Sequence, residues 1–167
     1  MLNMNKIKLP ISDKEAIRVE VKRRISLLSG DEWNKAVQSL CKKLLSSSVI
    51  QKAQNIVGYQ ALRDEVTLSL FFELMKAQGK SISIIDSQGN SSCLPSEGVI
   101  LVPWRAFTLS GKRIGRGGGW YDRFLQEHPD FYTIGICFDC QIFPELPQDE
   151  WDVPMNEVIY SWPQTGQ

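Results

Sequence analysis

Apolar residues at helical spacing predict two helices in the first fifty residues of the chain. The first series follows a capping-box pattern of Ser12 and Glu15 and consists of Ile17, Val21, Ile25 and Leu28. The second follows Ser29 and Glu32, which repeat that capping pattern, and consists of Val37, Leu40, Cys41, Leu44 and Leu45. Three consecutive serines at 46–48 weaken the helical pattern, so the second helix is expected to end there.

After residue 55, short apolar runs alternate with helical patterns. The runs predict strands at 56–59, 81–85, 99–102, 132–138 and 158–160. Helical spacing predicts one helix at 65–77, ended by Gly79, and another at 120–127, stopped by Pro129. Continuous apolar strands separated by helices are typical of a mainly parallel sheet covered on both faces. The pattern therefore predicts a single domain over residues 1–167, with a three-layer α/β/α, Rossmann-like fold and the first two helices packed on the sheet.

Composition narrows the possible partners. The chain has 167 residues, of which 43% are hydrophobic, and its 19 basic and 19 acidic side chains give a net charge of zero. A neutral chain lacks the bulk field that binds nucleic acid or an anionic membrane without specificity, so neither is expected as a partner. No apolar run has the length of a membrane span or a signal-peptide core. We expect a cytoplasmic protein with reduced cysteines that is a monomer or a weak homo-oligomer.

The segment richest in candidate chemistry is a glycine–arginine loop between a buried strand that ends at Val102 and the helix near Trp120. Four glycines within 115–119 allow backbone N–H groups to approach a phosphate closely. The following helix N-terminus attracts anions, and Arg113 and Arg116 add planar donors. The order strand, loop, helix puts this loop at the carboxyl edge of the sheet, where α/β proteins usually bind ligands. The loop could hold a polyphosphate.

Simpler interpretations of the same residues stay open on the pattern alone. The glycines could form a plain turn, and they complete neither a P-loop nor a dinucleotide fingerprint. Basic residues on the first helix could be a solvated face, and Asp122 could complement a helix dipole. His128 reads as a solvated residue at a helix end, which leaves no histidine for a nucleophilic triad. The Cys137–Cys140 spacing is a weak zinc signal, and free thiols are the simpler reading.

Several motifs together resemble the 5-formyltetrahydrofolate cyclo-ligase (methenyltetrahydrofolate synthetase) family. The run from Arg113 to Leu125, Arg-Ile-Gly-Arg-Gly-Gly-Gly-Trp-Tyr-Asp-Arg-Phe-Leu, is similar to the signature of that family. Four further stretches match family elements in the same order, namely Lys14 to Arg18, Glu65 to Thr67, Val102 to Phe107, and Gln141 with residues 146–153. The resemblance covers about residues 12–161.

The resemblance implies an ATP-driven ring closure that converts 5-formyltetrahydrofolate to 5,10-methenyltetrahydrofolate and releases ADP and phosphate, with Mg²⁺ present. The residues it implies for ATP binding are Lys14, Arg18, Arg113, Gly115, Arg116, Gly117, Gly118, Gly119, Trp120 and Tyr121. Those implied for the reduced folate are Leu62, Glu65, Arg116, Gly117, Gly118, Gly119 and Trp120. Asp122 and Asp152 would hold magnesium, and Arg116 would be the catalytic residue.

The chain also departs from the family pattern. Residues 86–98 form a shorter connection than is usual, where family members carry residues that line the folate. Trp104 stands at the strand end where the family usually has glycine. The resemblance therefore implies a nucleotide half of the site that is complete and a folate half that is reduced. The alternative is a nucleotide-binding paralogue with a different or lost small-molecule substrate.

Overall fold

A computed structural model describes residues 13–161, so Ser12 and its predicted capping role lie outside the described residues. The helices are α1 (Lys14–Ser26), α2 (Gly30–Ser46), α3 (Ser48–Lys52), α4 (Ser69–Ala77) and α5 (Trp120–Glu127), with a 3₁₀ turn at Asp139–Gln141. The strands are β1 (Asn55–Tyr59), β2 (Ser81–Ile85), β3 (Gly98–Pro103), β4 (Ala106–Phe107), β5 (Arg113–Ile114), β6 (Phe131–Phe138) and β7 (Glu157–Ser161).

Five strands form one sheet in the order β2-β1-β3-β6-β7, and every neighbouring pair in it is parallel. All five strands therefore end at the same edge, which is the edge where the connections that carry candidate chemistry begin. β4 and β5 pair separately as a two-stranded antiparallel ribbon beyond the end of β3. The prediction of a mainly parallel sheet is confirmed.

Side chains that alternate along the strands divide the core between the two faces of the sheet. On β1, Ile56 joins the core under α1 to α4, while the next residue, Val57, joins the core under α5. The same alternation continues on β3, where Leu101 faces the first core and Val102 the second. Four helices thus cover one face and α5 covers the other, so the predicted three-layer α/β/α architecture is confirmed.

The first helix begins at Lys14, and its N-cap is Asp13, whose side chain accepts hydrogen bonds from the N–H groups of Glu15 and Ala16. The predicted end of the second helix near the serines is confirmed, because α2 ends at Ser46. The short helix α3 that follows was not predicted. Ser47 begins it by accepting a hydrogen bond from the N–H of Ile50.

Two predictions about connections are wrong. The helix expected from residue 65 begins four residues later, at Ser69, because the buried Tyr59 hydroxyl donates to the carbonyl of Val66 at 2.7 Å and holds that segment outside the helix. Glu65 therefore lies in the loop after β1. The glycine loop does not follow the buried strand directly, because the β4–β5 ribbon intervenes and the loop leaves from β5. Within residues 13–161, no helix has the length and apolar character needed to cross a membrane.

Replacing Ser29 with alanine should lower the free energy of unfolding by about 1 kcal/mol. Ser29 accepts a hydrogen bond from the N–H of Glu32 at 3.2 Å, and the Glu32 carboxylate accepts one from the N–H of Ser29 at 2.8 Å. Denaturant unfolding of Ser29→Ala would measure the loss. Ser39→Ala, inside the same helix, is the control and should change little. Equal stability of the two variants would contradict a contribution from the capping box.

Candidate active site

The glycine loop, residues 115–119, joins β5 to α5 at the carboxyl edge of the sheet. Gly117 has φ +110° and Gly119 has φ +63°, conformations that side chains disfavour. A Cβ at Gly118 would have no neighbour within 4 Å, so the backbone is open on that side. The loop thus offers an unobstructed backbone immediately before the N-terminus of α5, which is the geometry expected of an anion site.

Trp104, which follows β3, forms the floor of this loop. A Cβ added to Gly115 would lie 1.5 Å from the Trp104 ring, so glycine is required at that position. The indole also packs under the Arg113 guanidinium, 3.8 Å from the ring centre, and its Nε1 is buried without a hydrogen-bond partner among the described residues. The bulky side chain at the strand end thus fills the space under the loop.

The first helix brings one basic side chain to the loop and a second to the acidic segment at 149–152. Arg18 donates from Nε to the carbonyl of Gly115 at 2.7 Å, and its guanidinium lies about 3.8 Å from where a Cβ of Gly117 would be. Lys14 donates to Asp149 at 2.6 Å and to Asp152 at 2.8 Å. Burial lowers the pKa of Lys14, but these two hydrogen bonds outweigh it and the pKa is raised. Lys14 is therefore held as a cation beside the acidic segment at 149–152.

Arg113 lies in the interior, with a side chain only 1% exposed. It donates from Nη2 to Asp122 at 2.5 Å and from Nε to the carbonyl of Val153 at 2.8 Å. Burial lowers its pKa, and the carboxylate of Asp122 opposes that effect. Arg113 thus supports α5 and the segment after residue 150 from inside, and its predicted contact with ATP stays a prediction.

The segment that carries one predicted magnesium ligand, Asp152, packs against the side chain of the other, Asp122. Asp122 accepts a hydrogen bond from the N–H of Val153 at 3.2 Å, which brings it beside the segment that carries Asp152. Within residues 13–161, no three acidic, histidine or cysteine side chains form a cluster that could hold a metal. Two carboxylates do suit Mg²⁺, which usually binds one or two of them together with water and substrate phosphates. The donor set therefore fits the ion as a partner of a phosphate ligand.

Arg116 belongs to a second ionic network on the other side of the loop. Its Nη2 donates to Asp64 at 2.7 Å and to Glu65 at 2.8 Å, and its Nε donates to Glu65 at 3.0 Å. Asp64 also accepts a hydrogen bond from Arg105, which follows β3. Sequence analysis found Glu65 and Arg116 but missed Asp64 and Arg105. The available signal was that both missed residues lie in connections that leave strands at the carboxyl edge, Asp64 in the loop after β1 and Arg105 two residues after β3.

The aromatic residues after the loop contribute to packing, and their predicted contacts with ATP stay predictions. Trp120 stacks on Phe124 with ring centres 5.0 Å apart and packs against the turn at Gly89, where a Cβ would lie 2.4 Å from its ring. The short 86–98 connection thus packs closely against the Trp120 ring at Gly89. Burial raises the pKa of Tyr121, and nearby Glu65 raises it further, so its phenol stays neutral.

A cavity of about 690 Å³ opens beside Glu65, beyond the end of β1. Its walls come from the loop after β1, from α4 and from β2, and they include Leu62, Phe72 and Ile84. Both residues predicted to bind only the reduced folate, Leu62 and Glu65, therefore line one cavity. The cavity combines apolar walls with charged groups, as small-molecule sites generally do.

Other candidate groups lie in packing positions. His128 ends α5 half-buried, with its ring 4.4 Å from that of Phe124. Cys137 is buried and Cys140 is half-buried. Burial raises the pKa of each thiol, to about 12 for Cys140. Neither thiol forms a disulfide, and the interpretation of both as free thiols stays a prediction.

Fold and site together define an α/β protein whose glycine loop, flanked by basic side chains, lies at the carboxyl edge of a parallel sheet. Proteins of this class usually bind phosphate-bearing ligands there. The model of the 5-formyltetrahydrofolate cyclo-ligase family matches residues 85–161 of the chain, the glycine loop included.

Similarity to individual relatives extends beyond the matched segment. The chain is 27% identical over 190 residues to the 5-formyltetrahydrofolate cyclo-ligase of Mus musculus, covering 89% of this chain and 94% of that protein. Its structure resembles a 5,10-methenyltetrahydrofolate synthetase from Mycoplasma pneumoniae, with TM-score 0.72, 25% identity and coverage of 88% and 98%. The synthetase from Aquifex aeolicus, at 23% identity, has the same fold, with TM-score 0.72 and coverage of 92% and 94%.

Proposed function

We propose that this protein is an ATP- and Mg²⁺-dependent 5-formyltetrahydrofolate cyclo-ligase, which forms 5,10-methenyltetrahydrofolate and releases ADP and phosphate. The observation that carries the proposal is the contact of α1 with the glycine loop. Arg18 lies outside the segment that the family model matches, yet its Nε bonds the carbonyl of Gly115 at 2.7 Å. Basic groups from a distant part of the chain thus meet the family's glycine loop at one place.

The nucleotide would lie along residues 115–119, with its phosphates against the open side at Gly118. Lys14 and Arg18 would neutralise phosphate charge from the α1 side, since Arg18 bonds the loop and Lys14, one helical turn earlier on the same face, bonds Asp152. Asp122 and Asp152 would hold Mg²⁺, which when bound supplies charge neutralisation for the phosphates. The ammonium of Lys14 bonds Asp152 at 2.8 Å, so Lys14 would exchange a carboxylate partner for a phosphate when the nucleotide binds.

The reduced folate would occupy the cavity beside Glu65. Leu62 and the other apolar walls suit an aromatic ring system, and Glu65, with a side chain 11% exposed, offers a carboxylate to ring N–H donors. The Glu65 carboxylate is fixed because it accepts hydrogen bonds from the N–H of Leu62 and from Arg116. The formyl group would thereby face Arg116 and the loop that binds the triphosphate.

The reaction suits a site built from fixed charges. The formyl oxygen attacks the terminal phosphorus of ATP and ADP leaves; N10 then attacks the activated carbon, and phosphate departs as the ring closes. An amide oxygen is a weak nucleophile, so catalysis depends on positioning and on stabilising charge at the transferred phosphoryl group. Arg116 would provide that stabilisation from the loop, because its side chain is 37% exposed and therefore accessible to a ligand.

Purified protein with ATP, Mg²⁺ and 5-formyltetrahydrofolate should generate the near-ultraviolet absorbance of 5,10-methenyltetrahydrofolate, with one ADP released for each product. Absorbance and a coupled ADP assay would be followed in the same samples. Omitting ATP should abolish both signals, and a chelator should abolish them until Mg²⁺ is restored.

Two outcomes would contradict the proposal. Saturable ATP binding without an absorbance change would leave a nucleotide-binding protein whose substrate is not this folate. ATP turnover that appears only with a different small acyl compound or carboxylic acid would assign the site to another substrate. Turnover that continues in excess chelator would contradict the magnesium part of the proposal alone.

A further inference from the structure

Asp64 is the only one of the described residues that bonds two arginines from two different connections at the carboxyl edge. Its Oδ1 accepts from Arg116 in the glycine loop at 2.7 Å, and its Oδ2 accepts from Arg105 after β3. Its side chain is 27% exposed and that of Arg105 is 15% exposed, so the three charges are partly withdrawn from water. In such a setting an ionic hydrogen bond fixes geometry more firmly than at an open surface.

Arg105 is itself rigidly held. Its backbone N–H donates to the carbonyl of Ile114 at 3.0 Å, and its carbonyl accepts from Gln141 at 3.0 Å. Gln141 in turn accepts from the N–H of Phe138, at the end of β6. Arg105 is therefore fixed to the central strands. Because Asp64 bonds both arginines, it restrains the side chain of Arg116 relative to Arg105.

Arg116 needs such support because its neighbours in the chain are glycines. A side chain on a glycine loop loses much conformational freedom when it is ordered, and that cost must be offset by contacts. Asp64 and Glu65 bond its Nε and Nη2, while Nη1 has no hydrogen-bond partner within residues 13–161. One nitrogen of the guanidinium is thus left for a ligand.

We propose that Asp64 is a positioning residue that ties Arg116 to Arg105 and so orients the free nitrogen of Arg116 toward the transferred phosphoryl group. The effect of Asp64 on kcat rests on the proposed function, which is the kinetic part of the inference. The restraint that Asp64 places on the Arg116 side chain rests on the ionic network alone, which is the structural part. The hydrogen bonds from Arg116 and Arg105 outweigh burial and lower the pKa of Asp64 to about 2, so the carboxylate stays ionised under assay conditions.

A double-mutant cycle tests the kinetic part. Asp64→Asn should lower kcat about tenfold while KM for ATP and for the folate changes less than about threefold, because the guanidinium remains but is misoriented. In an Arg116→Ala background the same substitution should cost nothing further, since Asp64 acts through Arg116. Glu20→Gln is the matched control, because Glu20 also bonds two arginines, Arg23 and Arg24, and likewise has its pKa lowered to about 2.

Tryptic cleavage after Arg116 tests the structural part without any assay of activity. Trypsin must extract the arginine side chain, so Asp64→Asn should speed cleavage at Arg116–Gly117 about tenfold relative to cleavage after Lys52 in the same sample. Glu20→Gln should leave that ratio unchanged. Mass spectrometry of the fragments over time gives both rates.

The results separate the two proposals. A wild-type protein without turnover would contradict the proposed function, and the cleavage ratio would then decide on the tie between Asp64 and Arg116. Unchanged kcat in Asp64→Asn, full additivity with Arg116→Ala, or an equal loss of kcat in Glu20→Gln would each overturn the positioning role. An unchanged cleavage ratio would overturn the tie itself.

Discussion

Replacing Arg116 with alanine is expected to lower kcat by about 100- to 1,000-fold, the usual cost of losing one fixed donor to charge that develops in the transition state. Arg116 sits on the glycine loop with one nitrogen free for a ligand and the others bonded to Asp64 and Glu65. Initial-rate kinetics with both substrates would measure the change. KM for ATP should rise much less than kcat falls, because Lys14, Arg18 and the loop backbone remain.

Arg23→Ala is the control for this substitution, since Arg23 is 55% exposed on α1 and bonds only Glu20 among the described residues. It should retain wild-type kinetics. Arg116→Lys tests whether charge alone suffices, and it should recover only part of the rate because lysine lacks the planar fork that reaches two carboxylates. A near-native kcat in Arg116→Ala would assign the arginine to loop structure instead of catalysis.

Replacing Arg113 with methionine is expected to lower the free energy of unfolding by about 3–5 kcal/mol, because it leaves the buried carboxylate of Asp122 without its cation. The loss includes the hydrogen bond to the carbonyl of Val153 and the contact with the Trp104 ring. Denaturant unfolding followed by circular dichroism would measure it. Nucleotide affinity should fall as well, since Asp122 and the start of α5 depend on this pair.

The double variant Arg113→Met with Asp122→Leu should be more stable than Arg113→Met alone, because it removes the uncompensated charge. Arg23→Met removes an exposed cation from Glu20, which keeps its bond to Arg24, and should change the free energy of unfolding by less than about 1 kcal/mol. If Arg113→Met were as stable as Arg23→Met, the interior pair would have no structural role.

The sequence predicts the fold well wherever a local pattern determines it. The apolar runs of β1, β3 and β6 and the capping box at Ser29 are properties of neighbouring residues, and the structure confirms them. The start of α4 was predicted wrongly because a hydroxyl seven residues earlier, on Tyr59, binds the carbonyl of Val66. Strands β4 and β5 have two residues each, too few to show a period.

The candidate site could be predicted only in part for the same reason. The glycine loop and the basic face of α1 are local patterns, and the structure brings them into contact through Arg18. The tie between Asp64, Arg105 and Arg116 joins residues 41 and 52 positions apart, and no spacing in the sequence encodes it. Lys14 bonds Asp149 and Asp152, which are 135 and 138 positions away, so no local pattern could have predicted these bonds either.

The indole ring of Trp104 fills the space that a side chain at position 115 would need. A methyl group at 115 is therefore sterically barred while the indole is present, and a side chain at 115 would require a smaller residue at 104. We therefore expect homologues that keep this tryptophan to keep glycine at 115, although the two residues are eleven positions apart in the chain.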